Sequence, residues 1–168
     1  MTKEKETIKD LIFIKMQALY DMETEITKAL PDMVEAATDA DLKKAFKSHL
    51  KETETHMTRL EEAFKLLGHE PKKIKVAAIR GLVEDATWII KQKMTEEATD
   101  AMLIAAASYV ENYEKAGYMA IIRWAEELGD HDDLVELLQA NLDEEEVADE
   151  KLKTLAEDSV DAKVGAVA

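Results

Sequence analysis

Residues 48–64, SHLKETETHMTRLEEAF, carry two of the chain's four histidines beside a glutamate. His49, Glu52 and His56 sit at helical spacings, so imidazole nitrogen and carboxylate oxygen could meet a cation on one face. Taken alone, Glu52 and His56 are a solvated i,i+4 pair worth about 0.2–0.5 kcal/mol. The chain has no cysteine, so any metal would be held by carboxylates and imidazoles, which favours iron or manganese over softer ions.

The argument for a site comes from acids elsewhere. On a helix each residue advances about 100°, so the direction of a side chain follows from its number. Glu145 falls within roughly 20° of the middle of the stripe made by Leu134, Leu138 and Leu152, with Asp149 close beside it. Glu114 is central among Leu103, Ala107 and Ile121, and Glu111 lies about 60° away on the side of Tyr118 and Ile122. In the opening segment Thr53 is near the centre of the apolar arc, His49 and His56 lie inside it, and Glu52 is at its edge. Glu23 lies at the margin of the stripe of Leu11, Met22 and Ile26, with Glu25 and Asp21 as more exposed alternatives.

An unpaired buried carboxylate costs several kcal/mol or takes up a proton. Several of them together call for a cation, and a pair of metal ions at the centre of a helical bundle meets that need. This reading makes Glu52 and His56 a ligand pair, which Glu145 and Asp149 repeat. His49 is read as their hydrogen-bonded support. The metal-free alternative is a buried hydrogen-bond network with Tyr113, Tyr118 or Tyr20.

The elements that would position these residues are four long helices. Two prolines and five glycines in 168 residues favour helix throughout. The first starts near Thr7, with Asp10 as a capping partner, and meets Pro31, which kinks it or begins a short continuation. The second opens at Thr38 or Asp39 and stops at Gly68. The third runs from about Thr99 to Leu128, and the fourth begins around Asp130 to Asp133. His69 and His131 read as turn residues, and Trp88 packs the connecting segment or forms a dimer contact.

Short links make the first and second helices one antiparallel hairpin and the third and fourth another. The roughly 30-residue stretch between them, with the short amphipathic helix VAAIRGLVEDATWIIKQK, is long enough to cross the bundle. The expected architecture is therefore all-α, a ferritin-like antiparallel four-helix bundle with an extra helix in its crossover. It forms a single domain over 1–168, with its core at about 7–158 and a loose tail over about 160–168.

The net charge of −15 argues against nucleic-acid binding, which needs a basic face. No apolar run approaches a membrane span, and the start MTKEKETIKD lacks a signal-peptide core, so the expected location is the cytoplasm.

LYDMETEITKALPDM, HLKETETHMTRLEEAF, VENYEKAGY and LDEEEVADEKL, in register with GLVEDA and LIAAA, resemble the bacterial stress-associated ferritin-like proteins of the Yci type over about residues 8–158. The resemblance implies a carboxylate-bridged di-metal centre and a role in oxidative or osmotic stress, with a manganese-catalase-like activity among the suggestions. Its carried-over ligands are Glu23, Glu52, His56, Glu111, Glu114, Glu145 and Asp149.

The sequence departs from the Glu-x-x-His spacing of rubrerythrin and ferritin relatives. It has Asp149 where a second histidine is expected, and Asn112 where this family often has histidine. The expected function is a di-iron or di-manganese oxidoreductase acting on peroxide or dioxygen as a homodimer, with Tyr20, Tyr113 and His49 as supporting or proton-transfer groups. The alternative is a non-catalytic helical stress protein whose acidic core is a relic or a metal sink.

Overall fold

The computed structural model describes residues 7–129 and 131–165, with Ser159 and Ala162 by backbone alone. The N-terminal residues 1–6, Asp130 as the earliest start for the last long helix, and 166–168 lie outside the described residues.

Helix α1 (Ile8–Ala36) starts where Thr7 Oγ1 accepts the Asp10 amide at 3.2 Å. It does not end at Pro31, and the continuation expected beyond it is its own last turn. Helix α2 (Ala40–Leu66) is capped by Asp39, whose carboxylate accepts from the amides of Asp41 and Leu42. It closes through Gly68, which holds φ +72°, a conformation that costs glycine no Cβ clash.

Helix α3 (Ala77–Ile90) lies inside the crossover. Helix α4 (Glu96–Leu128) begins a turn earlier than the apolar spacing suggests, because Thr95 Oγ1 accepts the Ala98 amide and Glu96 and Glu97 suit the positive helix start. Helix α5 (Asp132–Leu155) follows Gly129, at φ +79°.

Contacts fix the directions. Tyr20 meets Glu61 and Thr27 meets Met57, so α1 and α2 are antiparallel. Tyr118 meets Asn141 and Lys115 meets Asp149, so α4 and α5 are too. The hairpins pack α1 on α4 and α2 on α5, which closes a helical bundle.

The crossover runs along α1, where the Ile74 amide donates to Gln17 O at 3.3 Å. Arg80 and the Val76 amide then both bond Asp21, pinning α3 at 2.6 and 2.8 Å. Close approach of α4 to α1 depends on Gly117: a Cβ there would stand 2.8 Å from Leu19 Cδ2. The core is aliphatic and methionine-rich, with Ile12, Met16, Leu19, Met22, Leu60 and Leu103 fully buried.

The described part of the expected tail is helical. A single π turn, Ala156–Val160, leads into α6 (Asp161–Gly165), with Val160 buried and Lys163 Nζ 2.7 Å from Asp39 Oδ2. A π turn rotates the following residues off the 3.6-residue stripe, which is why no periodicity showed there. No described helix is long and apolar enough to cross a membrane.

Candidate metal centre

Six side chains from the four long helices meet at mid-bundle: Glu23 from α1, His49 and His56 from α2, Glu111 and Glu114 from α4, and Glu145 from α5. Glu23, His56, Glu114 and Glu145 have no solvent exposure. They form two groups in which one ligand atom per residue lies within 4.8 Å of every other: His49, Glu111, Glu114 and Glu145, and Glu23, His56 and Glu145. Glu145 belongs to both.

His49 Nε2 is 3.2 Å from Glu111 Oε1, and His56 Nδ1 is 3.0 Å from Glu145 Oε1 and 3.5 Å from Glu23 Oε1. These approaches are close but misaligned for hydrogen bonds. Nine buried nitrogen and oxygen atoms therefore lack a hydrogen-bond partner among the described residues, and all nine belong to these six side chains.

The outward faces of the two imidazoles are supported. His56 Nε2 lies 2.9 Å from Glu144 Oε2, and Arg59 grips Glu144 through both terminal nitrogens at 2.7 and 2.9 Å. Arg59 also donates to Asn141 Oδ1, and Asn141 Nδ2 donates to Tyr118 Oη at 3.0 Å. The Tyr118 hydroxyl donates to Glu23 Oε1 in a short bond. On the other side, His49 Nδ1 faces Glu52 Oε2 at 3.6 Å, and Ser48 donates to Glu52 Oε1 at 2.9 Å. In each case one ring nitrogen faces the centre and the other a carboxylate, and at His56 the outer contact is within hydrogen-bond reach, the arrangement that fixes the orientation of a metal-binding imidazole.

Electrostatics follow from burial. Desolvation, reinforced by neighbouring carboxylates, pushes Glu111 and Glu114 well above the ordinary carboxylate range. Desolvation also raises Glu23 against the pull of His56. Burial disfavours the imidazolium of His56, but the Glu145 and Glu23 carboxylates overcome it and raise the ring to about 10. Burial likewise opposes ionisation of Glu145, and His56 and His49 pull it below its usual value. Without a cation, burial and neighbouring carboxylates disfavour charge on Glu111 and Glu114, while the Glu145 and Glu23 carboxylates favour it on His56.

The structure brings Glu23, His56, Glu111, Glu114 and Glu145 together, and His49 with them. It does not bring the other four. Glu52 stands at the rim behind His49, its side chain 39% exposed. Asp149 is buried but engaged by Lys115 and, at 2.8 Å, by Lys153, which hold its carboxyl below the usual range.

Tyr20 donates to Glu61 at 2.6 Å, its pKa pushed up to about 12 by burial and that carboxylate. Tyr113 lies under Lys15 Nζ, 5.9 Å from the ring centroid. Sequence reasoning missed Glu144 and the role of Tyr118, which read only as core or a network partner. It also passed over a usable signal: His49 and His56, seven residues apart, lie about 20° apart around the helix, closer than the 40° or so between Glu52 and His56.

A helical bundle with buried acids and histidines at its centre defines the class. The chain belongs to the DUF892 family, described as a domain of unknown function, which it matches over residues 7–165. It is 35% identical over 158 residues to Protein YciF of Escherichia coli strain K12, an alignment covering 94% of this chain and 95% of that one. The crystal structure of the E. coli stress protein YciF superposes with a TM-score of 0.89 at 34% identity, over 94% of this chain and 99% of that one. YcfI from Rhodopseudomonas palustris gives 0.88 at 42% identity, over 92% and 98%. The Yci-type resemblance holds at that level.

Proposed function

We propose that this protein is a ferritin-like four-helix-bundle stress protein whose core binds two iron or manganese ions and reacts with peroxide or dioxygen. The observation that carries the reading is the concentration of every unpartnered buried polar side-chain atom, among the described residues, on the six residues that form the two overlapping groups. Four carboxylates and two imidazoles are the donors that intermediate divalent ions take. Such ions, when bound, would supply one electron each to the oxidant.

The chain's own contribution is positional. Glu145, common to both groups, would be the shared carboxylate, with Glu23 and His56 on one side and His49, Glu111 and Glu114 on the other. Tyr118 donates to Glu23 Oε1, which leaves Glu23 Oε2 for the centre. Glu144 orients the His56 imidazole, and Glu52 stands beside His49 Nδ1. Because burial disfavours ionisation of Glu111 and Glu114 in the cation-free protein, binding of a cation should release protons from them. That YciF of E. coli is a stress protein supports a role in handling oxidants.

The test begins with protein stripped by a chelator and reloaded without oxygen with Fe(II) or Mn(II). Elemental analysis should give about two ions per chain, with a higher melting temperature. Glu145→Ala should lose binding at both groups, and turnover of hydrogen peroxide or oxidation of Fe(II) should go with it. No uptake of either ion and an unmoved melting temperature would end the metal reading. Uptake without turnover would leave a metal sink.

A further inference from the structure

The two halves of the centre differ in how they can be reached. The Glu23 and His56 half is enclosed by Tyr118, Asn141, Glu144 and Arg59, which form a closed hydrogen-bonded wall. The His49 and Glu111 half borders two cavities. One, of about 70 Å³, opens between α2 and α5, and Ser48, Glu52 and Lys151 give it a polar mouth. The other, of about 30 Å³, lies under α3, where Leu82, Val83 and Ala86 form the roof and Leu30 and Ala107 the walls. His49 and Glu111 border both cavities. Neither cavity is lined by Glu23, His56 or Glu145.

We propose that the cavity under α3 is a docking site for a small uncharged diatomic molecule, dioxygen, which it delivers to the His49 and Glu111 side of the centre. This deepens the di-metal reading and rests on it for its chemistry, though not for the existence of the site. A single water needs about 10–15 Å³ of such space, so the cavity has room for two or three heavy atoms. Apart from His49 and Glu111 its lining is aliphatic. A charged or strongly hydrogen-bonding guest would lose its hydration there without repayment, whereas dioxygen loses almost nothing.

At one end the cavity is bordered by His49 and Glu111, residues only 6% and 2% exposed that carry unpartnered buried atoms. The roof is fixed in place by Arg80 and the Val76 amide on Asp21, so the space is a built feature of the crossover.

The experiment is crystallography under xenon pressure on the full chain, joined to the reaction of Fe(II)-loaded protein with dioxygen. In that reaction two Fe(II) give one electron each, and dioxygen with two protons leaves as hydrogen peroxide. Xenon should appear beneath Ala86, and Ala86→Leu should remove it. The same substitution should slow oxidation at least tenfold at unchanged iron content, while Ala148→Leu, in the other cavity, should not. Ala106→Val, on the wall opposite the roof, repeats the test if Ala86→Leu misfolds.

Xenon absent from this cavity in the unsubstituted protein, or found only between α2 and α5, would overturn the proposal. So would an oxidation rate untouched by filling the cavity. Failure of the metal reading looks different: no iron would be retained, and the xenon result would still decide whether the cavity docks a diatomic guest.

Discussion

Buried carboxylates occur in two settings in this molecule, at its tethers and at its centre, and the chain treats them differently. Asp100 accepts the Thr38 amide, the Thr38 hydroxyl and the Asp39 amide at 2.8, 2.6 and 2.8 Å. Asp21 takes Arg80 and the Val76 amide, and Asp149 takes Lys115 and Lys153. Each tether is satisfied by protein donors and ties one segment to another. At the centre, neither oxygen of Glu114 and neither oxygen of Glu145 is hydrogen-bonded among the described residues. A chain that supplies lysine, arginine or amide to its other buried acids leaves these to the two histidines and to each other. These side chains form the two groups that could hold a metal ion.

The contrast breaks most sharply by removing a tether. Asp100→Ala leaves three donors at the link between α1 and α2 without their acceptor and should cost about 3–5 kcal/mol. Denaturant unfolding checks the loss, and metal uptake by the folded fraction should be unchanged. The opposite sign is expected at the centre. Glu114→Gln replaces a buried acid that resists ionisation by a neutral amide and should stabilise the metal-free protein by about 1–3 kcal/mol, while weakening metal uptake.

A smaller effect separates the two settings by pH. Glu111 and Glu114 have folded values raised above the ordinary 4.5, so the folded state holds more protons above that pH. Their share of metal-free stability is present below about 4.5 and declines as pH rises toward the raised values. Asp21 behaves in reverse. Burial opposes its ionisation, but Arg80 and the Val76 amide depress its pKa below 3.8, so its contribution is present above that pH and fades as pH falls through the lower folded value. Melting curves of the metal-free protein should show higher stability near pH 5 than near pH 7.5. Asp21→Asn should keep that slope and Glu114→Gln should flatten it. Loading with metal should remove it as well.

How much of this was legible in the sequence depended on what each residue needed. Helix periodicity alone directs Glu114 and Glu145 inward, and both are fully buried. Glu23, at the margin of its stripe, needed the approach of α4 at Gly117 and the Tyr118 hydroxyl, neither of which a single helix reveals. Asp149 has an inward bearing and is indeed buried, but whether it meets the centre or Lys115 depends on the register between α4 and α5.

His49 stands at the centre and Glu52 at its rim for a simpler reason. A four-residue spacing suggested a pair, but the seven-residue spacing of the two histidines follows the face more closely. Glu144, one residue before the inward Glu145, bears about 100° away from it on the helix. A flanking carboxylate with one foot in solvent is the kind of group that orients a buried imidazole from behind.

The division into hairpins has a kinetic consequence. The α1 and α2 hairpin brings Glu23 and both imidazoles, whereas the α4 and α5 hairpin brings Glu111, Glu114 and Glu145. Contacts within each hairpin are local and those between hairpins are distant in sequence, so the centre is assembled late, when the two pieces meet. Before that encounter the three acids of the second hairpin are hydrated and ionised at neutral pH. The encounter must then collect protons or a cation at the moment the water leaves. Stopped-flow refolding should therefore slow as pH rises from 5 to 7.5 and recover when Mn(II) is included. The charge of the core would then act on the speed of folding as well as on the stability of the product.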